Sequence, residues 1–450
     1  MAKLNKALYG HPDSGTFWEE HCDQALKKVG FEPIHESNWP SCYFHQDLKL
    51  KLSVYVDDFK MSGPTENLKK GWNLIRHQAQ LVLEEPVPAH LYLGCIHEKR
   101  TIPLAGGRSA QTVVYNMESY LESTVRKYCA LVKELNEGKE VKLKTVATPF
   151  LPEDHSDAPA RVPRSGESAV CCPWCQHSFP ESEFKALPSK SKKKKKDLSA
   201  EDLIRDLGRL QPIAASILMK ILYAARMARF DLLRATCKLA CYTTKWDETC
   251  DRRLFRLVCY IHSTLQLRQV GWIGDDLKNV VPHLYADADF AGCERTERST
   301  AGVHLVLQGP NSRFPISGIS KRHSAVSNST PEAELVSGHF GCRHVLLPAQ
   351  DMWGVLVPGG EKAVFHEDNQ AMIRVCESGR NPTMRHLGRT HGISVRWLHE
   401  TLTREVIRFV YEESHLMAAD IYTKAFSDPL RWEHALLLIG VLEDKKVGTQ

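Results

Sequence analysis

A mixed α/β fold follows from three features of the 450-residue sequence. Segments in which apolar and polar residues alternate recur, as in Leu48-Lys49-Leu50-Lys51-Leu52-Ser53-Val54-Tyr55-Val56, and a period of two belongs to a half-buried strand. Between them lie stretches with apolar residues three and four apart, the spacing of one helix face. Hydrophobic residues make up 42% of the chain and charged residues 25%, which is core-forming material and excludes wholesale disorder.

Taken in order, residues 18–28 have helical spacing and Gly30 supplies a stop, since glycine tolerates the left-handed conformation that follows many helices. Residues 48–56 read as strand and 67–83 as helix, so 1–150 form one mixed segment. Residues 151–205 change character: five prolines lie between Pro152 and Pro180, and the stretch closes on the lysine run Lys192 to Lys196. That is the composition of a low-complexity insert. Residues 206–275 read as a helical connection, with apolar faces at 213–222 and 254–265. Residues 280–445 alternate again, with strands expected at 283–286, 303–307 and 363–366 and helices at 332–346 and 430–442. No repeat of fixed period runs through the chain.

Charge and cysteine usage narrow the classes. Lys plus Arg total 59 and Asp plus Glu 54, a net charge of +5, so only a local concentration of charge would point to an anionic partner. No apolar run approaches the ~18 residues needed to cross a bilayer, which argues against a membrane partner. The opening Met-Ala-Lys-Leu-Asn-Lys has no apolar secretory core. Fourteen cysteines are too scattered for a disulfide scaffold. The expectation is an intracellular chain with reduced thiols, in cytoplasm or nucleus.

The first chemical signal is Tyr55-Val56-Asp57-Asp58, an alternating strand that delivers two acids to a turn. Adjacent carboxylates on a tight turn repel unless a cation neutralises them, and hard oxygen ligands suit Mg²⁺. Taken alone, the pair also fits an ordinary Asp-rich turn. Its surroundings are Leu4-Asn5-Lys6-Ala7-Leu8-Tyr9-Gly10, Phe17-Trp18 and Gly30-Phe31 before it, and Tyr92-Leu93-Gly94, Tyr120-Leu121 and Thr148-Pro149 after it. This succession resembles the reverse transcriptase of copia-type retrotransposon polyproteins. The resemblance implies a partial palm and thumb in which Asp57 and Asp58 are metal ligands. The family's third polymerase Asp would lie upstream of Leu4, and Gly10-His11-Pro12-Asp13 departs from the family's Gly-Leu-Lys-Gln. A truncated RNA-directed DNA polymerase domain, inactive alone, is the expectation.

The second signal is four acids, dozens of residues apart, each at the end of an expected element. Asp287 lies in Tyr285-Ala286-Asp287-Ala288-Asp289-Phe290-Ala291-Gly292, and Glu334 in Ser329-Thr330-Pro331-Glu332-Ala333-Glu334-Leu335. Asp368 lies in Phe365-His366-Glu367-Asp368-Asn369-Gln370, and Asp420 in Ala418-Ala419-Asp420-Ile421-Tyr422-Thr423-Lys424. Ser329 and Pro331 read as the cap and first turn of a helix. Singly, each acid could be no more than a strand end or a helix-terminal charge.

In that order the four segments resemble the ribonuclease H domain attached to copia-type reverse transcriptase. The family patterns are Asp-Ala-Asp-Trp-Ala-Gly, Ser-Thr-Glu-Ala-Glu, Cys-Asp-Asn-Gln and Ala-Asp-Ile-Leu-Thr-Lys. The resemblance implies an RNase H-like mixed sheet and a two-metal site for Mg²⁺, with Mn²⁺ as the alternative ion. Asp287, Glu334, Asp368 and Asp420 would be its ligands and Asp287 would bridge the ions. His391, or His386, would shuttle a proton. The implied activity is metal-dependent endonucleolytic cleavage of RNA in RNA–DNA hybrids. The implied partners are that hybrid, template-primer nucleic acid and other polyprotein segments. The alternative is a non-catalytic nucleic-acid-binding remnant of a retrotransposon.

Two features lie outside the resemblance. Cys172, Cys175 and His177 supply three of the four ligands a structural zinc needs, with His155 the nearest further candidate; isolated thiols in an insert are the other reading. Lys192 to Lys196 would attract phosphates in a salt-dependent way or form a solvated linker.

Overall fold

The computed structural model describes residues 10–79, 81–154, 169–171, 178–180, 208–293, 295–403 and 406–444. It is mixed α/β, as the periodicities predict, and no described helix is long and apolar enough to cross a membrane.

The first sheet is an antiparallel meander of β1 (Glu32–His35), β2 (Trp39–His45), β3 (Leu50–Tyr55) and β4 (Asp58–Ser62). The alternation in β3 turns Leu50 and Leu52 inward to a small core with Leu26 of the helix Ser14–Lys27 and with Ile75. Gly30 has φ +86°, so its lack of a side chain permits the turn that follows the helix. The helix expected over 67–83 is shorter. It spans Thr65–Asn73, continues as a π turn over Leu74–Gln78, and is followed by irregular chain. Pro86 and Pro88 bias the residues before them toward extended backbone.

The second sheet takes β5 (Leu91–Tyr92), β6 (Cys95–Pro103) and β7 (Ser109–Asn116) from the first third of the chain. A separate ribbon pairs β8 (Ala169–Cys171) with β9 (Ser178–Pro180). The large sheet then gains β10 (Leu267–Ile273), β11 (Val281–Asp289), β12 (Thr300–Gly309), β13 (Ser312–Arg322), β14 (Ala363–Glu367), β15 (Ile407–Tyr411) and β16 (Val441–Glu443). Its order is β15-β14-β11-β12-β13-β10-β7-β6-β5, with β16 also on β10. Only β11–β14 and β14–β15 are parallel.

The sheet crosses the limits drawn from composition. The stretch expected as helical connection ends instead in β10, which pairs with β7 along Gln111–Tyr115 and meets β13 at Trp272 and Arg313. The 430–442 helix is likewise split: it spans Pro429–Leu438, turns at Gly440 (φ +69°), and leaves as β16.

Helices Gln211–Met227, Leu233–Ala240 and Glu248–Ser263 pack beside this sheet in the largest apolar core. A buried polar chain crosses that core. Arg229 donates twice to Asp231 (2.9 and 2.7 Å), Tyr260 Oη–H donates to Asp231 (2.9 Å), and Trp432 Nε1–H donates to Tyr260 (3.1 Å). Each buried charge and donor thus has a partner, which offsets the cost of removing it from water.

Candidate metal centre

β11 is where the large sheet changes sense, antiparallel toward β12 and parallel toward β14. The C-terminal ends of β11 and β14 therefore lie side by side, at the kind of switch point where open α/β sheets form a crevice. Asp287 stands near the end of β11, Glu367 ends β14, and Asp368 follows it.

Two further segments bring acids to the same crevice. Helix Thr330–Gly341 begins as its sequence predicts, with Ser329 Oγ accepting the Glu332 N–H (3.4 Å) and Pro331 in the first turn. Glu334 is carried on its second turn. Asp420 sits in the short 3₁₀ helix Ala418–Tyr422, which lies against β12 and β13 because Gly302 and Gly318 have no side chains. A Cβ at Gly302 would stand 2.7 Å from the Ala419 carbonyl oxygen, and one at Gly318 would stand 2.6 Å from Tyr422 Oη.

All four sequence-derived acids converge here. Asp287, Asp368 and Asp420 form one set whose ligand atoms lie within 4.8 Å of one another, and Glu334, Glu367 and Asp368 form a second. The residue common to both is Asp368, whereas Asp287 was expected to bridge. Glu367, fully buried, is a fifth acid that the four-acid pattern omits. Its signal was the adjacent pair Glu367-Asp368. Alternation would send such neighbours to opposite faces, but the strand ends between them.

Burial sets the electrostatics. It pushes the Glu334 and Glu367 carboxyls well above the usual range, helped by the neighbouring acids, and raises Asp287 likewise. Asp420 is pushed up to about 8 by burial and by the charge of Asp287. Among the described residues, one cation pairs with them. Lys424 Nζ donates to Asp420 Oδ2 at 2.6 Å and lies 4.0 Å from Asp287 Oδ1. Burial opposes its charge, yet Asp287 and Asp420 raise its affinity for the proton above the ordinary lysine value. Thr423 Oγ1–H donates to Asp287 and Ser414 Oγ–H to Asp368 (2.9 Å). Even so, Glu334 Oε2, Glu367 Oε2 and Asp420 Oδ1 are buried without a hydrogen-bond partner. Unpartnered carboxylate oxygens facing one another are the donor set of a hard divalent cation, which would satisfy them together.

The other predicted residues lie elsewhere. His391 is seated against Glu332, with Nε2 3.1 Å from Oε1, and His386 Nε2 is 3.2 Å from the other oxygen. Neither ring bonds an acid of the cluster, so the proton-shuttle assignment has no contact behind it. Asp289 is held by Arg234 (2.6 Å) and by the Thr300 N–H. Asp57 and Asp58 are exposed at the two-residue turn between β3 and β4, where Val56 has φ +52° and its carbonyl accepts Trp18 Nε1–H (3.0 Å). Among the described residues, neither joins a group of close ligands. Cys172, Cys175 and His177, and the lysine run, fall outside the described residues.

No protein-family model matches the chain.

Proposed function

We propose that the chain is a retroelement polyprotein fragment of copia type, and that the crevice at the ends of β11 and β14 cleaves RNA in RNA–DNA hybrids with Mg²⁺ bound. The observation that carries this reading is the convergence of Asp287, Glu334, Asp368 and Asp420. They are remote in sequence and were selected by their motifs alone, yet their carboxylates meet. A mixed sheet beneath them, with the first acid near the end of an interior strand where the sheet changes from antiparallel to parallel, further supports it.

Asp287, Asp368 and Asp420 would hold one ion, and Glu334, Glu367 and Asp368 a second. When bound, a pair of divalent ions activates water and stabilises both the attacking and the leaving oxygen of an in-line phosphodiester displacement. The protein's own part is positional. Thr423 orients Asp287, Ser414 orients Asp368, and Gly302 lets the Asp420 turn approach the sheet. Lys424 offsets part of the negative charge that a phosphate would meet. The hairpin acids Asp57 and Asp58 are proposed as the remnant of a polymerase site and do not supply activity alone.

The test is a 5′-labelled RNA strand annealed to DNA, incubated with the purified chain in Mg²⁺ or in chelator. Internal cleavage of the RNA in Mg²⁺ alone is expected. Binding of the hybrid with no cleavage in Mg²⁺ or Mn²⁺ would instead favour the non-catalytic remnant.

A further inference from the structure

The opposite ends of the same two strands form a second concavity. A cleft of about 560 Å³ opens where β11 and β14 begin, with Val281, Val364 and Val406 as apolar walls. His283, which lines it, precedes Asp287 by four residues, about 13 Å of strand. Strand register builds the cleft. His283 pairs with Val364, and Val364 with Arg408, in one row across β11, β14 and β15. Two strand spacings, about 10 Å, separate the imidazole's backbone from the guanidinium's and leave room between them for a phosphate-sized group. Lys362, just before β14, adds a second cation to the lining. Both cations are exposed, and among the described residues neither has an acid or a hydrogen-bond partner.

His283 is held differently. It is buried, and a chain of hydrogen bonds fixes its ring. The Glu412 carboxylate accepts from His366 Nδ1–H (2.5 Å), so His366 Nε2 accepts from His283 Nδ1–H (2.8 Å). That order leaves His283 Nε2 as a hydrogen-bond acceptor for whatever occupies the cleft. Burial, and then the charge of Arg408, push the His283 ring down to about 4, which keeps it neutral.

Two unpaired cations match a dianion. An arginine fork beside a lysine suits the several oxygens of a phosphate monoester better than it suits one carboxylate. The volume exceeds that of bare phosphate and falls in the range of small-ligand pockets. We infer that this cleft binds a small phosphate monoester with a free hydroxyl, about the size of a mononucleotide. Lys362 and Arg408 take the phosphate, His283 Nε2 accepts from the hydroxyl, and the three valines pack against the organic body. This site is separate from the metal centre and does not depend on hybrid cleavage.

The test titrates the full chain with AMP by calorimetry in chelator, which keeps divalent ions out of the acidic crevice. AMP should bind, and adenosine and inorganic phosphate should each bind at least about tenfold more weakly. Arg408→Gln and Lys362→Gln alter exposed side chains, so both should fold, and each should weaken AMP at least about tenfold. His283→Phe should weaken AMP but not 2′,3′-dideoxy-AMP, which lacks the ribose hydroxyls. Should that variant fail to fold, weaker binding of the dideoxy nucleotide than of AMP by wild type makes the same comparison. Displacement of AMP by a 5′-phosphorylated RNA oligonucleotide, and not by its unphosphorylated form, would assign the site to a strand end; no displacement by either assigns it to a free monoester. AMP binding no tighter than adenosine or inorganic phosphate, or wild-type affinity in either cation variant, overturns the inference. Equal affinity for AMP and the dideoxy nucleotide overturns the role of His283.

Discussion

Gly302 on β12 faces Thr423: a Cβ built on the glycine would stand 2.6 Å from Thr423 Cγ2. Gly302 is also the cross-strand partner of Asp287, and Thr423 donates its hydroxyl hydrogen bond to that same carboxylate. One methyl group at position 302 therefore pushes on the turn that carries both Thr423 and Asp420. Overpacking of a tight site costs about 1–3 kcal/mol. Gly302→Ala should lower stability by that order and weaken metal binding as well. The check is chemical denaturation with Mn²⁺ titration. A variant with wild-type metal affinity would show that the close approach does not position the acids.

His391 and Glu332 form a buried pair, each side chain about 1–2% exposed. Removing one partner of a buried hydrogen bond typically costs about 1–3 kcal/mol, because the other is left unsatisfied. His391→Ala should therefore destabilise the protein, although half-exposed His386 retains one Glu332 oxygen. Adding Glu332→Gln should recover much of the loss. A proton-shuttle role predicts the opposite pattern: His391→Ala keeps its stability, loses turnover, and gains nothing from the second change.

Acid should destabilise the fold through buried neutral histidines. His304 is pushed down to about 3 by burial and by nearby Arg313, and His97 and His339 to about 4, chiefly by burial. Their folded values lie below the ordinary value near 6.5, so between about pH 6.5 and 4 the unfolded chain takes up protons that the folded chain refuses. Stability is then lost as pH falls through that window, by up to about 1.4 kcal/mol per pH unit for each such group. Asp420 works in the opposite sense in metal-free protein. Its raised value means the folded state takes the proton first, so acidification from about pH 8 toward 4 stabilises through it. His304→Phe keeps a ring against Tyr422 and removes one titrating group. Because Asp420 is common to both chains, the variant's stability should fall less steeply than wild type below pH 6. Parallel pH profiles from urea unfolding would refute the assignment.

Much of this was legible in the sequence, for identifiable reasons. The alternation through Leu50 and Leu52 and the Ser329–Pro331 helix start are local signals, and both appear where local chemistry puts them. The four acids were legible because each carries a short motif at an element end. What was missed is tertiary. β10 looked like the tail of a helical region, since only pairing with β7, β13 and β16 makes Leu267–Ile273 a strand. Glu367 was passed over because it is the last residue of a buried strand, and alternation alone would turn it away from Asp368. The histidine assigned to proton transfer was chosen by motif, and its partner Glu332 could be found only in three dimensions.

The most direct test of the central claim concerns Asp368, the one acid common to both ligand sets. Asp368→Asn keeps the size and the hydrogen bond from Ser414 but removes a charge from each set. Cleavage and binding of one RNA–DNA duplex are measured for wild type and variant at fixed salt in Mg²⁺. The account predicts that cleavage falls by orders of magnitude, while hybrid binding persists or tightens slightly with one fewer charge repelling phosphate. Equal cleavage by both proteins, or none by the wild type, would contradict it.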